Sequence, residues 1–239
     1  MKNERVPTGI SGFDKLIGGG FLKGSINLVA GGTGSGKSIF SMQYLYNGIL
    51  KYNEPGLYIS FEESIDSLKQ DAEIFGWDFD KYEKAKKMTF LYLTPYTTTD
   101  LQSLLAEEIP KSKAKRVVID SISVFAMALN DLYRIRKQIY FLTSALRKLG
   151  ATTILTSEIV GEAPLDISGG SRDGSFSRYG VEEFISDSVV SLHNAGLGGS
   201  GDRAVRILKI RRTDHTKGPV PFEIGNQGIK VFQKERSYK

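Results

Sequence analysis

Eight residues, Gly31-Gly-Thr-Gly-Ser-Gly-Lys-Ser38, constrain this chain more than any others. They meet every fixed position of the pattern G-x-x-x-x-G-K-[ST], a glycine-rich turn that joins a strand to a helix and wraps phosphate oxygens. The flanks suit such a turn. Ser25-Ile-Asn-Leu-Val-Ala30 is an apolar run of buried-strand type, and Ile39 to Lys51 carries helical spacing. Successive backbone N–H groups and the helix N-terminus then converge on an anion. Gly32, Thr33, Gly34, Ser35, Gly36, Lys37, Ser38 and Ile39 are the expected nucleotide contacts. Lys37 would reach the β- and γ-phosphates, and the Ser38 hydroxyl would ligate Mg2+. The expected ligand is a nucleoside triphosphate with Mg2+.

The rest of the chain alternates strand and helix signals, which predicts a mainly parallel sheet with helices on both faces. Ile39, Met42, Tyr46 and Ile49 stripe the helix after the loop. Gly56 to Phe61 reads as a strand, and Ile65, Leu68, Ala72 and Phe75 mark a helix. Met88–Leu93 (strand), Asp100–Ile109 (helix) and Arg116–Asp120 (strand) follow. A longer helix is striped by Ile135, Ile139, Leu142, Leu146 and Leu149, ahead of the strand Ala151–Thr156. Gly161 to Gly180 has neither period and reads as a surface loop. Strands Asp187–Leu192, Arg203–Ile210, Val220–Ile224 and Gly228–Phe232 close the chain, the first two as a hairpin across the turn-like Gly196–Gly201. With no dividing linker and no internal repeat, residues 1–239 read as one domain.

Composition narrows the function classes. The 40% apolar and 25% charged content is that of a water-soluble globular chain, and no apolar run has the length of a membrane span. The start, Met-Lys-Asn-Glu-Arg-Val-Pro, lacks the apolar centre of a signal peptide, and the absence of cysteine excludes thiol catalysis. The expected location is the cytoplasm. Of the net charge of +5, the excess lies from Asp202 to Lys239, where ten Lys/Arg meet four Asp/Glu. Such a segment suits nucleic acid, a phosphate held elsewhere, or a solvated face.

A phosphate-transfer site needs further groups. Mg2+ calls for an acid at the end of a neighbouring apolar strand, and Arg116-Val-Val-Ile-Asp120 supplies Asp120. Glu62-Glu63 follows directly on a strand, at the sheet end where open α/β folds bind ligands. Glu62 is the expected base for the attacking water, with Glu63 orienting it or binding at the subunit surface. The competing reading is an acidic pair that complements a helix dipole. Thr156-Ser157-Glu158 ends the next strand and either senses the γ-phosphate or caps the strand. Lys209 and Arg211 fall two apart, so on a strand they share a face. Two cations there suit a phosphate, including one bound by an adjacent subunit, or else protect a charged edge strand. His193 and His215 lack the spacing of a metal pair.

These blocks together resemble the KaiC branch of the RecA/RadA superfamily. The resemblance runs through Thr8-Gly-Ile-Ser-Gly-Phe-Asp14, Gly18-Gly-Gly20, the phosphate loop, Phe61-Glu-Glu63, Phe75-Gly-Trp77 and Ile119-Asp-Ser121. It continues through Arg178-Tyr-Gly-Val-Glu-Glu-Phe184 and Leu208-Lys-Ile-Arg211, with Thr213, His215 and Lys217. It implies a RecA-like core binding ATP between neighbouring subunits of a ring, commonly a hexamer. Glu62 is then the catalytic carboxylate. Lys209 and Arg211 approach the γ-phosphate of the adjacent subunit, while Thr213, His215 and Lys217 lie near the nucleotide. The circadian clock ATPase that gives the branch its name carries two such domains, and the autophosphorylation segment of its second has no clear match here. Arg212 stands where that protein is expected to have a small residue, and the Gly161–Ser177 loop, with Arg172, looks longer.

Two classes of function follow. The first is an oligomeric ATPase with a regulatory or assembly role, whose nucleotide state sets its contacts with an unknown protein partner. The second is a RecA-like DNA-binding ATPase, less favoured because no clear aromatic-and-basic element for single strands stands out. A kinase acting on itself or another protein would use the same base and Mg2+ chemistry.

Overall fold

A computed structural model describes residues 4–94, 101–127, 129, 131–159, 176–196 and 202–232. The chain begins with β1 (Arg5–Val6), α1 (Phe13–Leu16) and β2 (Phe21–Leu22), in which β1 and β2 pair antiparallel. Between them Asp14 ties the Thr8–Asp14 turn together. Its carboxylate accepts hydrogen bonds from the Thr8 N–H at 2.8 Å, the Thr8 hydroxyl at 2.7 Å and the Gly9 N–H at 2.9 Å.

The alternating part then runs β3 (Ile26–Gly31), α2 (Lys37–Tyr52), β4 (Gly56–Ser60), α3 (Ile65–Ile74), α4 (Phe79–Lys84) and β5 (Met88–Tyr92). It continues with α5 (Leu101–Ser112), β6 (Arg116–Asp120), α6 (Ile122–Met127), α7 (Leu132–Leu149) and β7 (Thr152–Glu158). After α8 (Glu182–Ile185) come β8 (Ser188–Asn194), β9 (Arg203–Ile210), β10 (Pro219–Gly225) and β11 (Gly228–Val231). The order across the nine-stranded sheet is β11-β10-β9-β8-β3-β7-β6-β4-β5. Strands β8, β3, β7, β6, β4 and β5 are parallel, and β9, β10 and β11 extend the sheet antiparallel. The β8–β9 pairing is the expected hairpin.

Alternation along each strand divides the core between the two faces. Val29, Tyr58, Val118, Ile154 and Val190 join Phe40, Met42, Tyr44 and Leu45 of α2 on one face. Leu28, Leu57, Ile59, Val117, Ile119 and Leu155 join Leu105, Ile139, Leu142 and Leu146 of α5 and α7 on the other. Each fully buried Leu, Ile or Val contributes about 1.5–3 kcal/mol, so both layers are needed to hold the sheet. Helix α7 starts where Asp131 accepts a hydrogen bond from the Tyr133 N–H and stops at Gly150.

Every strand and helix expected from the sequence is present, with ends shifted by a few residues. Helix α5 runs through Pro110 to Ser112, beyond the expected Ile109. The elements not anticipated are α1, α4, α6, α8, β1 and β2, all too short to carry a readable period. Asp100 and most of the expected Gly161–Gly180 and Gly196–Gly201 loops, Arg172 included, lie outside the described residues.

Candidate nucleotide site

Strand β3 is central and parallel to both neighbours, so the turn leaving Gly31 opens at the C-terminal edge of the sheet. Gly34 and Gly36 have φ of 68° and 96°, a left-handed backbone that a side chain would strain. Gly36 caps α2 without any side-chain acceptor, which leaves the first N–H groups of a 16-residue helix facing the loop. Thr33 and Gly34 are exposed, whereas the Ser35 hydroxyl is buried without a hydrogen-bond partner. Ile39 packs half-buried against the core. The loop apex is held from outside, because Arg203 of β9 donates to the Gly34 carbonyl at 2.6 Å.

Lys37 folds back onto the Gly31 and Gly32 carbonyls at 3.1 and 3.0 Å. Burial lowers its pKa, opposed by Asp120, Glu158 and Glu62. Ser38 donates to Asp120 Oδ2 at 2.7 Å. Asp120 also accepts from Tyr58 at 2.5 Å and Thr156 at 2.5 Å, on β4 and β7 either side of β6. The three side chains meet because Tyr58, Asp120 and Thr156 all point to the α2 face of the sheet. Burial, with Asp120 beside it, holds the Tyr58 phenol well above its ordinary pKa, so it remains a donor.

Glu62 and Glu63 leave β4 in different directions. Glu62 accepts a hydrogen bond from Ser121 at 2.6 Å, and partial burial raises its pKa, with Asp120 and Glu158 adding to the rise. Glu63 instead accepts from Ser67 at 2.8 Å, within the first turn of α3. At the end of β7, Ser157 meets Ser123 and the buried Glu182, and Glu158 pairs with Arg178.

Lys209 and Arg211 lie elsewhere. Arg203 pairs with Asn194 next to the loop, and Ile210 pairs with Ser188 at the far end of β8. Lys209 is therefore roughly 20 Å along β9 from the loop end, at about 3.4 Å per residue. Its ammonium donates to the Glu183 and Ser186 carbonyls at 2.9 and 2.7 Å, and burial and Arg211 lower its pKa. Arg211 donates to the Phe184 carbonyl and to Asp187, both at 3.3 Å. The following turn sits at the same end. Thr213 accepts from Arg5 at 2.7 Å, His215 lies against the Thr216 carbonyl, and Lys217 neighbours His215 and Asp214. The structure thus gathers Lys37, Ser38, Glu62 and Asp120 at one edge and Lys209, Arg211, Thr213, His215 and Lys217 at the other. Sequence reasoning missed Tyr58, Ser121 and Arg203, because each sits in a run whose first explanation is packing or a turn.

The donor set fits a magnesium nucleotide. A hydroxyl and a carboxylate, both hard oxygens, stand beside a lysine and a ring of backbone N–H groups at an uncapped helix start. The family described as "ATPase: KaiC" matches residues 6–236. The circadian clock oscillator protein KaiC of Prochlorococcus marinus subsp. pastoris is 38% identical over 97% of this chain and 46% of its own length. KaiC of Synechococcus elongatus is 37% identical over 95% of this chain and 44% of its own. The chain spans about half the length of these relatives. The crystal structure of a KaiC-like protein from the archaeon Pyrococcus horikoshii OT3 superposes with a TM-score of 0.82 at 39% identity, covering 96% of this chain and 99% of the other. The chain belongs to the KaiC ATPase family and carries its RecA-like α/β core.

Proposed function

We propose that residues 1–239 act as one Mg2+-dependent ATP-hydrolysing unit of a ring-like homo-oligomer, with the nucleotide between neighbouring subunits. The observation that carries this reading is the separation of the two sets of groups across the sheet. Phosphate, metal and base residues share one edge, and the cations suited to the far side of a γ-phosphate share the opposite edge. A neighbour in a head-to-tail interface would bring them together, closing as a hexamer or another ring. The nucleotide state would then set the protein's contacts with a protein partner, in a regulatory or assembly role.

Lys37 would leave its two carbonyls for the phosphates, with the loop N–H groups cradling the same oxygens. Ser38 and Asp120 would hold Mg2+, which when bound would offset the charge of the phosphates. Glu62 would take a proton from the attacking water as that oxygen bonds to the γ-phosphorus and ADP departs. Its raised pKa makes it a stronger base than an exposed carboxylate. Glu63 would support the start of α3 and through it the position of Glu62. Glu62→Gln is expected to bind ATP normally and to lose about 10²–10⁴ in turnover. Wild-type turnover in that variant removes Glu62 from the role.

One observation keeps the DNA-binding reading in play. Helix α7 exposes Tyr133, Tyr140 and Phe141 at 71%, 58% and 42%, alongside Arg134, Arg136 and Lys137. Aromatic rings among cations are the elements that hold single strands. Turnover and mass in Mg-ATP, measured with and without single-stranded DNA, separate the readings. DNA stimulation with a steep salt dependence favours the second. A monomer at all concentrations with ATP overturns the shared site.

A further inference from the structure

Asp120 receives three hydroxyl donors, and two of them come from the sheet itself. Tyr58 on β4 donates to Oδ2 at 2.5 Å and Thr156 on β7 donates to Oδ1 at 2.5 Å, while Ser38 reaches Oδ2 from α2 at 2.7 Å. Tyr58 is fully buried, its ring 5.8 Å from that of Phe90. A phenylalanine would fill this space without a polar atom to satisfy, so packing does not account for the hydroxyl. Its effect falls on the carboxylate.

We propose that Tyr58 is a positioning residue for Mg2+: with Thr156 it clamps the Asp120 carboxylate so that its edge beside Ser38 faces the cation site. The proposal rests on the reading of Ser38 and Asp120 as the metal residues. The two donors stand on the strands flanking β6, one for each carboxylate oxygen. Bonds from both sides stop the carboxylate from turning about its Cβ–Cγ bond. Asp120 then loses no rotational freedom when the cation arrives, which is how groups behind a ligand raise metal affinity. The Ser38 hydroxyl, donating its O–H to Asp120, keeps its lone pairs for the metal.

The test uses the full chain and a non-hydrolysable β,γ-imido analogue of ATP, its binding followed by calorimetry across a Mg2+ series and in EDTA. Tyr58→Phe is expected to raise the half-saturating Mg2+ concentration about ten-fold. Affinity for the analogue in EDTA should stay the same. An unchanged or lower Mg2+ requirement overturns the proposal. So does an equal loss of affinity with and without Mg2+, which would make the hydroxyl a general structural group. Thr156→Val should move the Mg2+ requirement in the same direction, and it carries the test if Tyr58→Phe does not fold. Asp120→Asn separates this clamp from the underlying reading. If it leaves the Mg2+ dependence intact, Asp120 is not a metal residue. If it removes the dependence and Tyr58→Phe changes nothing, the clamp alone fails.

Discussion

Glu62 and Glu63 share a dipeptide, yet Ser121 donates to one and Ser67 to the other. Alternation along an extended chain predicts that divergence, whereas the partners depend on which elements pack nearby. His193 shows the same division. Its lack of a metal-pair spacing is readable in the sequence. Its setting is not: on β8 its Nε2 lies 3.0 Å from the Ser191 hydroxyl, and burial and Arg206 of β9 lower its pKa below the ordinary 6.5. The unfolded chain therefore binds a proton that the folded chain resists. Stability contributed by neutral His193 is complete above pH 6.5 and is lost as pH falls through 6.5 toward the depressed folded value. Melting temperatures at pH 7.5 and 5.5, compared between wild type and His193→Gln, should show a smaller acid-side drop in the variant. Equal drops would mean that His193 titrates alike in both states.

Helix α2 and strand β6 meet with no room between them. Gly48 of α2 lies against Arg116, and a Cβ at Gly48 would fall 2.5 Å from Arg116 Cδ and Nε. That guanidinium cannot swing away. It is wholly buried, donates to Glu54 at 2.7 Å and the Tyr44 carbonyl at 3.0 Å, and stacks between the rings of Tyr44 and Tyr52 at 4.6 and 5.1 Å. Gly48→Ala, a change that favours an isolated helix, is therefore expected to destabilise this protein by about 1–3 kcal/mol. A denaturant melt showing equal or greater stability would contradict it. The helix itself was legible from Ile39, Met42, Tyr46 and Ile49. Arg116, at the head of an apolar strand, gave no sign that it would be a buried cation serving the α2–β6 seam. On the other side of α2, Gln43 bonds both backbone groups of Ile229 and docks the edge strand β11. A polar residue in a helix likewise does not announce such a partner.

The sheet carries its glycine loop at one edge and Lys209 and Arg211 at the other, so the shared site proposed above would draw on two copies. Mixing variants tests this directly. Lys37→Ala should abolish the loop half and Arg211→Ala the opposite half, each silencing its own pure oligomer. Co-assembled in equal amounts, they should recover about one quarter of wild-type sites, because that fraction of head-to-tail interfaces pairs an intact loop with an intact arginine. No recovery in mixed assemblies of confirmed composition would place both halves in one chain's site or remove Arg211 from it. The relation between the two edges follows from β9 running antiparallel to β8. Lys209 and Arg211 were legible as two cations two residues apart, and their distance from the loop was not.

The order of residues carried the short-range physics of this protein: the glycine loop and its lysine, the alternation of strand and helix, and the acids at the strand ends. Each is set by spacing within a few residues, where backbone geometry leaves few choices. Pairing across the chain belongs to the fold. Strand order brings Tyr58 and Thr156 to the two oxygens of Asp120, directs Glu62 to Ser121, and sends Lys209 and Arg211 to the opposite edge. Those contacts join residues tens of positions apart, and packing of whole elements, not local preference, decides which of them meet.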